Sequence, residues 1–130
     1  MVIDTSVLIA ILAGEPEAAR FASVLSIAPQ LLLSTATLVE ATIVTRYRFR
    51  DAGVRDLDSL LARLRPEIIP VTVQQAELAC QAHRRFGKGQ HPAGLNFGDC
   101  FAYALASERD EPLLFKGNDF ARTDIVSVPY

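Results

Sequence analysis

The chain reads as an α/β protein, a three-layer α/β/α sandwich around a mostly parallel sheet of roughly five strands. Three observations predict it. Short apolar runs alternate with longer amphipathic ones. The runs LLL and LLF are apolar throughout, as strands buried on both faces are. The segments between runs are long enough for the crossover helices that parallel strands need.

Taken in order, Val2–Asp4 is the first expected strand, followed at once by a helix over Thr5–Leu12. Gly14-Glu15-Pro16 ends that helix and opens a second over Glu17–Ile27, with Pro16 near its first turn, where a missing N–H costs nothing. Leu31–Ser34 is the second strand. Helices follow over Thr35–Arg50 and Val54–Leu64, and Pro66 and Pro70 frame a third strand at Ile68–Val71. Val73–Phe86 is helical, Gly87 to Gly94 form a basic glycine-containing loop, and Phe97–Arg109 is the last long helix. Asn96 is placed to cap it, with Asp99 three residues on as the reciprocal partner. Leu113–Phe115 and Ile125–Val128 complete the sheet, joined by a short turn or helix.

At 130 residues, the whole of 1–130 is expected to be one domain with a substantial core, and a hydrophobic content of 50% excludes a disordered chain. No apolar run approaches the roughly 18 residues of a membrane span. No basic region precedes the N-terminal apolar stretch, and an acid stands at position four, which argues against a cleaved signal peptide. A cytoplasmic protein without a membrane partner is expected. Cys80 and Cys100 lack zinc or CxxC spacing and sit in apolar helical patterns, so both are expected to pack as small hydrophobes.

Four acids stand in awkward places. Asp4, Glu40, Asp99 and Asp119 interrupt VIDTSVLIA, STATLVEATIV, LNFGDCFAYALA and LLFKGNDF. A carboxylate among Val, Leu, Phe and Ala is costly unless paired, hydrogen-bonded or bound to a cation. Each has an ordinary reading: Asp4 as a helix cap, Glu40 in a capping box with Thr37, Asp99 in one with Asn96, and Asp119 in an Asn-Asp turn. Jointly they fall on one edge of the expected sheet, beyond the strands' carboxyl ends, where ligands bind in parallel α/β folds. Oxygen-only donors suit Mg²⁺ or Mn²⁺. His83 and His91 lie away from the acids, which disfavours zinc.

Net charge is −2, which by itself discourages a nucleic-acid partner. Setting aside the four sequestered acids leaves 13 basic against 11 acidic side chains. The bases also cluster. Arg46, Arg48 and Arg50 alternate with Tyr47 and Phe49, and His83, Arg84, Arg85, Lys88 and His91 occupy a stretch without an acid. Such patches suit phosphate backbones and stacked bases; snorkelling helix-end arginines explain either cluster about as well. An acidic Mg²⁺ site beside basic patches points to phosphodiester chemistry.

Together, VIDTSVLIA, STATLVEA, LNFGDCFAYALA and LLFKGNDF resemble a PIN-domain ribonuclease, and more closely the VapC-type toxins of type II toxin–antitoxin pairs. The resemblance spans nearly the whole chain. It implies a PIN-like fold and a Mg²⁺- or Mn²⁺-dependent endoribonuclease acting on structured RNA such as tRNA or rRNA. It also implies a homodimer, neutralisation by a cognate VapB-type antitoxin, and contact with operator DNA only through that antitoxin. Asp4, Glu40 and Asp99 occupy the family's acidic positions, with Asp4 and Asp99 foremost as direct metal ligands. Glu40 ligates a second ion or orients the attacking water. Ser6, or Thr5, matches the hydroxyl that supports the first aspartate. Arg46, Arg48, Arg84, Arg85 and Lys88 are the candidates for flanking phosphates. Many relatives carry an acid where this chain has Gly117; either Asp119 takes the fourth role from a shifted turn, or three acids suffice. Asp124 is a weaker candidate, read as an exposed loop acid.

Other acidic α/β sites fit less well. A response-regulator receiver needs paired acids after the first strand, and an aspartyl-phosphate phosphatase needs DxDx[TV] where this chain has Asp4-Thr5-Ser6-Val7. Two alternatives remain: a catalytically weak PIN-fold binding module that acts with an antitoxin as a transcriptional repressor, and a DNA-acting nuclease of the same broad fold.

Overall fold

The structure is a computed structural model describing residues 1–130. Its elements are β1 (Val2–Ile3), α1 (Thr5–Leu12), α2 (Ala18–Ile27), β2 (Leu32–Ser34), α3 (Thr35–Leu64), β3 (Glu67–Ile69), α4 (Val73–Phe86), α5 (Phe97–Arg109) and β4 (Leu113–Leu114), then a 3₁₀ turn at Phe120–Arg122. The strands form one parallel sheet in the order β3-β2-β1-β4. From β1 the chain winds outward through β2 to β3, then returns to place β4 on the other side of β1. The direction of winding therefore reverses between β1 and β4, which opens a crevice beyond the carboxyl ends of those strands.

Alternation along each strand divides the core into two layers. Val2, Leu32 and Leu113 point to a cluster with Ala79, Ala82 and Phe86 of α4 and Ala102, Leu105 and Ala106 of α5. Ile3, Leu33 and Leu114 point the other way, onto Val7, Leu8, Phe21, Leu25, Leu57 and Leu60 from α1, α2 and α3. Both faces of β1, β2 and β4 are covered, and only the edge strand β3 carries exposed residues, Glu67 and Ile68. This is the α/β/α sandwich that the runs predict. No helix is long and apolar enough to cross a membrane.

Three expectations change. The sheet has four strands rather than five: the segment at Ile125–Val128 joins it through one isolated parallel bridge, Leu113 to Ser127, with Val128 N–H donating to Leu113 O. Too few ladder bonds form there to make a strand. Cys100 is buried, but Cys80 lies exposed on α4 rather than packed in the core. The helices expected at Thr35–Arg50 and Val54–Leu64 form one element, yet it does break, at Arg50, whose φ of 60° and ψ of −159° are not helical.

That backbone conformation is essentially a glycine conformation and strains a side chain with a Cβ. Arg50→Gly should raise stability by about 1 kcal/mol in chemical denaturation; a loss of stability would mean that the Arg50 side chain makes contacts worth more than the strain.

Candidate active site

A local device positions each acid. Asp4 follows β1 and caps α1: Ser6 donates to Asp4 Oδ2 from its backbone N–H at 2.9 Å and from its hydroxyl at 2.5 Å. Ser6 Oγ in turn accepts the backbone N–H of Lys116, which ties the segment after β4 to the first turn of α1. Asp4 is 3% exposed. Burial raises its pKa despite the Ser6 hydrogen bonds, and the nearby Glu40 pushes the same way.

Asp99 sits in the first turn of α5 in the capping box the sequence predicts. Its N–H donates to Asn96 Oδ1 at 3.0 Å, and its Oδ2 accepts the Asn96 N–H at 2.7 Å. Capping alone would favour the ionised carboxylate. The net shift goes the other way, to about 7, because burial leads and Asp4, Glu40 and Asp119 repel the charge. The capping reading therefore holds for this residue, and its carboxylate still carries a raised pKa.

Glu40 does not form a box with Thr37. Ser34 caps α3 instead, and Glu40 Oε2 accepts the Thr5 hydroxyl at 2.5 Å from across the cleft. Its carboxylate lies flat against α5, where a Cβ on Gly98 would fall 1.9 Å from Glu40 Oε1. The glycine beside Asp99 is thus a cradle for Glu40. Nothing in the pattern GDC discloses that.

Asp4, Glu40 and Asp99 line one cleft at the carboxyl edge of the sheet, together with Ser6, Asn96 and Arg48. None of the three acids is paired with a basic side chain. They share the cleft without closing into a ready three-ligand set, each holding one oxygen on a neighbouring donor. Asp119 is exposed at the rim, before the 3₁₀ turn, and reaches the group as a charge acting on Asp99.

The basic residues divide. Arg48 lines the cleft, with its guanidinium over the Phe49 ring. Arg46 faces Asp51 on the exposed side of α3. Arg84 borders a groove between α4 and α5, and Lys88 is exposed in the loop beyond. Arg85 is tied to Asp124 at 2.7 Å and to the Tyr103 hydroxyl, so Asp124 serves that contact and not the cleft. Two cleft residues escape a reading of the sequence, Glu15 and Lys116. A Gly-Glu-Pro turn and a lysine after a strand are unremarkable until the fold brings them together.

A family model of the PIN domain matches residues 1–126. VapC ribonuclease Mb0640 of Mycobacterium bovis is 48% identical over 128 residues, covering 98% of each chain. Ribonuclease VapC of Mycolicibacterium smegmatis is also 48% identical, over 98% of this chain and 99% of its own. In fold the chain is similar to Mycobacterium tuberculosis VapC20, described as a sarcin-ricin-loop-cleaving toxin, with a TM-score of 0.81 and 17% identity over 99% of this chain and 98% of that one. It is likewise similar to a chain of DNA-bound VapBC from Salmonella typhimurium, with a TM-score of 0.73 and 17% identity over 98% and 95% of the two chains. The structural likenesses carry the fold, and the full-length identities carry the kinship: this chain belongs to the PIN-domain family and, within it, to the VapC ribonucleases.

Proposed function

We propose that this chain is a Mg²⁺- or Mn²⁺-dependent endoribonuclease and the toxin of a toxin–antitoxin pair. It cuts phosphodiester bonds in structured RNA such as tRNA or rRNA and is restrained by a VapB-type antitoxin. The observation that carries this reading is the cleft itself, lined by three carboxylates of which none is ion-paired to a basic side chain. Their donors are all oxygen, and burial, aided by repulsion from the neighbouring acids, raises the pKa of Asp4 and Asp99, an unfavourable charge that a hard cation relieves. Asp4 and Asp99 would hold the ion, with Glu40 beside them and Asp119 contributing charge from the rim.

When bound, the cation supplies charge stabilisation at the phosphate oxygens and makes a water more acidic. The chain supplies placement. Thr5 fixes Glu40 Oε2 and leaves Oε1 to orient an attacking water. Asn96 fixes one oxygen of Asp99, and Ser6 does the same for Asp4. Arg48 is placed to hold a flanking phosphate, while Arg84 and Lys88 lie farther along the surface.

The relatives' description as VapC ribonucleases supports RNA as substrate, and the toxin–antitoxin complexes among the fold neighbours support an antitoxin partner that brings the operator contact. Val39, Ile43 and Tyr47, exposed by 57%, 63% and 80%, form a stripe at helical spacing along α3, which supports a homodimer.

Purified protein freed of antitoxin should cleave total RNA into discrete fragments with Mg²⁺ or Mn²⁺ and leave it intact with EDTA. Asp4→Asn and Asp99→Asn should each lower the rate by about 100-fold or more while keeping the fold. Folded protein inert with every cation would instead favour the binding-module reading. Gly98→Ala should also abolish most cleavage, because the new methyl displaces Glu40; retained activity would show that Glu40 has room to move.

The pH dependence of stability has a definite sign. The folded pKa of Asp99, about 7, lies above the ordinary 3.8, so its ionisation opposes folding. Stability contributed by the protonated form is complete below about pH 4 and is lost as pH rises to about 7. The metal-free chain should therefore melt lower at pH 8 than at pH 5. Asp99→Asn should flatten that difference, as should added Mg²⁺; thermal melts across this range test both.

A further inference from the structure

The acid cleft contains one cation that is already occupied. Lys116 follows β4 and lines the cleft beside Asp4 and Asp99, yet its ammonium turns to Glu15 and Glu17, which carry the turn between α1 and α2. It donates to Glu17 Oε2 at 3.0 Å and also to Glu15 Oε2. All three side chains are about one-third exposed or less, and Glu15 itself lines the cleft. The Lys116 backbone is fixed relative to Asp4 through the Ser6 hydroxyl, so the ammonium starts from a set distance to the site. Arg48, the other cation of the cleft, has no carboxylate partner. Two cations thus face one acidic site, and only one is neutralised within the chain.

Two carboxylates offered to one ammonium present the oxygen acceptors and negative charge that a phosphodiester backbone also presents. We propose that Lys116 is a phosphate-binding residue of this site, and that Glu15 and Glu17 hold it as internal competitors that RNA must displace. The proposal rests on the ribonuclease reading above. A surface ion pair of this exposure contributes little to stability, so a purely structural role predicts no change in RNA binding. Exchange of partners predicts a large one: an arriving phosphate takes Lys116 and leaves the α1–α2 turn free of its tether.

The test is binding of a short fluorescein-labelled single-stranded RNA in Mg²⁺, by anisotropy across a salt series, in an Asp99→Asn parent that does not cut it. Lys116→Gln should weaken binding several-fold and reduce the slope of log K against log salt by about 0.7. Glu15→Gln/Glu17→Gln should strengthen binding several-fold. That gain should vanish when Lys116→Gln is added, since no cation remains to be released. Melting curves confirm that each variant is folded; should Lys116→Gln unfold, Lys116→Arg, which keeps the charge, should retain the parent slope. A gain that persists without Lys116 would mean general repulsion by Glu15 and Glu17 and would overturn the proposal. Unchanged binding in Lys116→Gln, with RNA cleavage by the native chain intact, would overturn it alone. No RNA bound by any variant and no cleavage by the native chain would overturn the ribonuclease reading, and the lysine's role with it.

Discussion

The organising constraint is a buried carboxylate at the end of the central strand without an ion-pair partner. Asp4 cannot leave the cleft, because its oxygen caps α1 and its backbone N–H donates to Leu114 O across the sheet. The tripeptide Asp4-Thr5-Ser6 then arranges the rest. Thr5 reaches Glu40, Ser6 holds Asp4, and the same Ser6 oxygen receives the Lys116 amide. Three consecutive residues thereby connect β1, α3 and β4 at one point. Moving any of these elements disturbs the whole site.

Capping a helix and lining the cleft are not rival explanations here. A helix N-terminus offers N–H donors and positive potential, which makes it a tolerable place for a carboxylate. Asp4 and Asp99 both use it, and Asn96 completes the arrangement at α5. Yet burial, with repulsion from neighbouring acids behind it, outweighs those donors, so the folded chain holds them above their ordinary titration range. The site is thus anchored mechanically and unfavourable electrostatically. Holding charged groups this close together costs stability.

The topology explains why such a cluster assembles at all. With β1 central and β4 returning on its far side, the residues after these two strands border the same crevice, and α5 delivers its N-terminus to it. Gly98 completes the geometry by omission. Its missing side chain lets Glu40 lie against α5 beside Asp99, so the spacing among the acids depends on an atom that is not there.

Much of this was legible in the chain. The bounds of α4 and α5, the Asn96–Asp99 box and the two-sided burial of the strands follow from local signals: a 3.6-residue period, a capping pair and unbroken apolar runs. The three inner acids were legible because a charge in an apolar run is expensive wherever the chain goes. The fourth strand boundary, the single bridge at Ser127 and the exposure of Cys80 were not, since ladder bonds and burial depend on partners distant in sequence. Nor were Glu15, Lys116 and the Gly98 cradle. The sequence by itself determined which groups had to find a compensating partner; only the tertiary structure decided which partner each one found, because electrostatic and steric fit act over a few ångströms between residues as many as 110 positions apart.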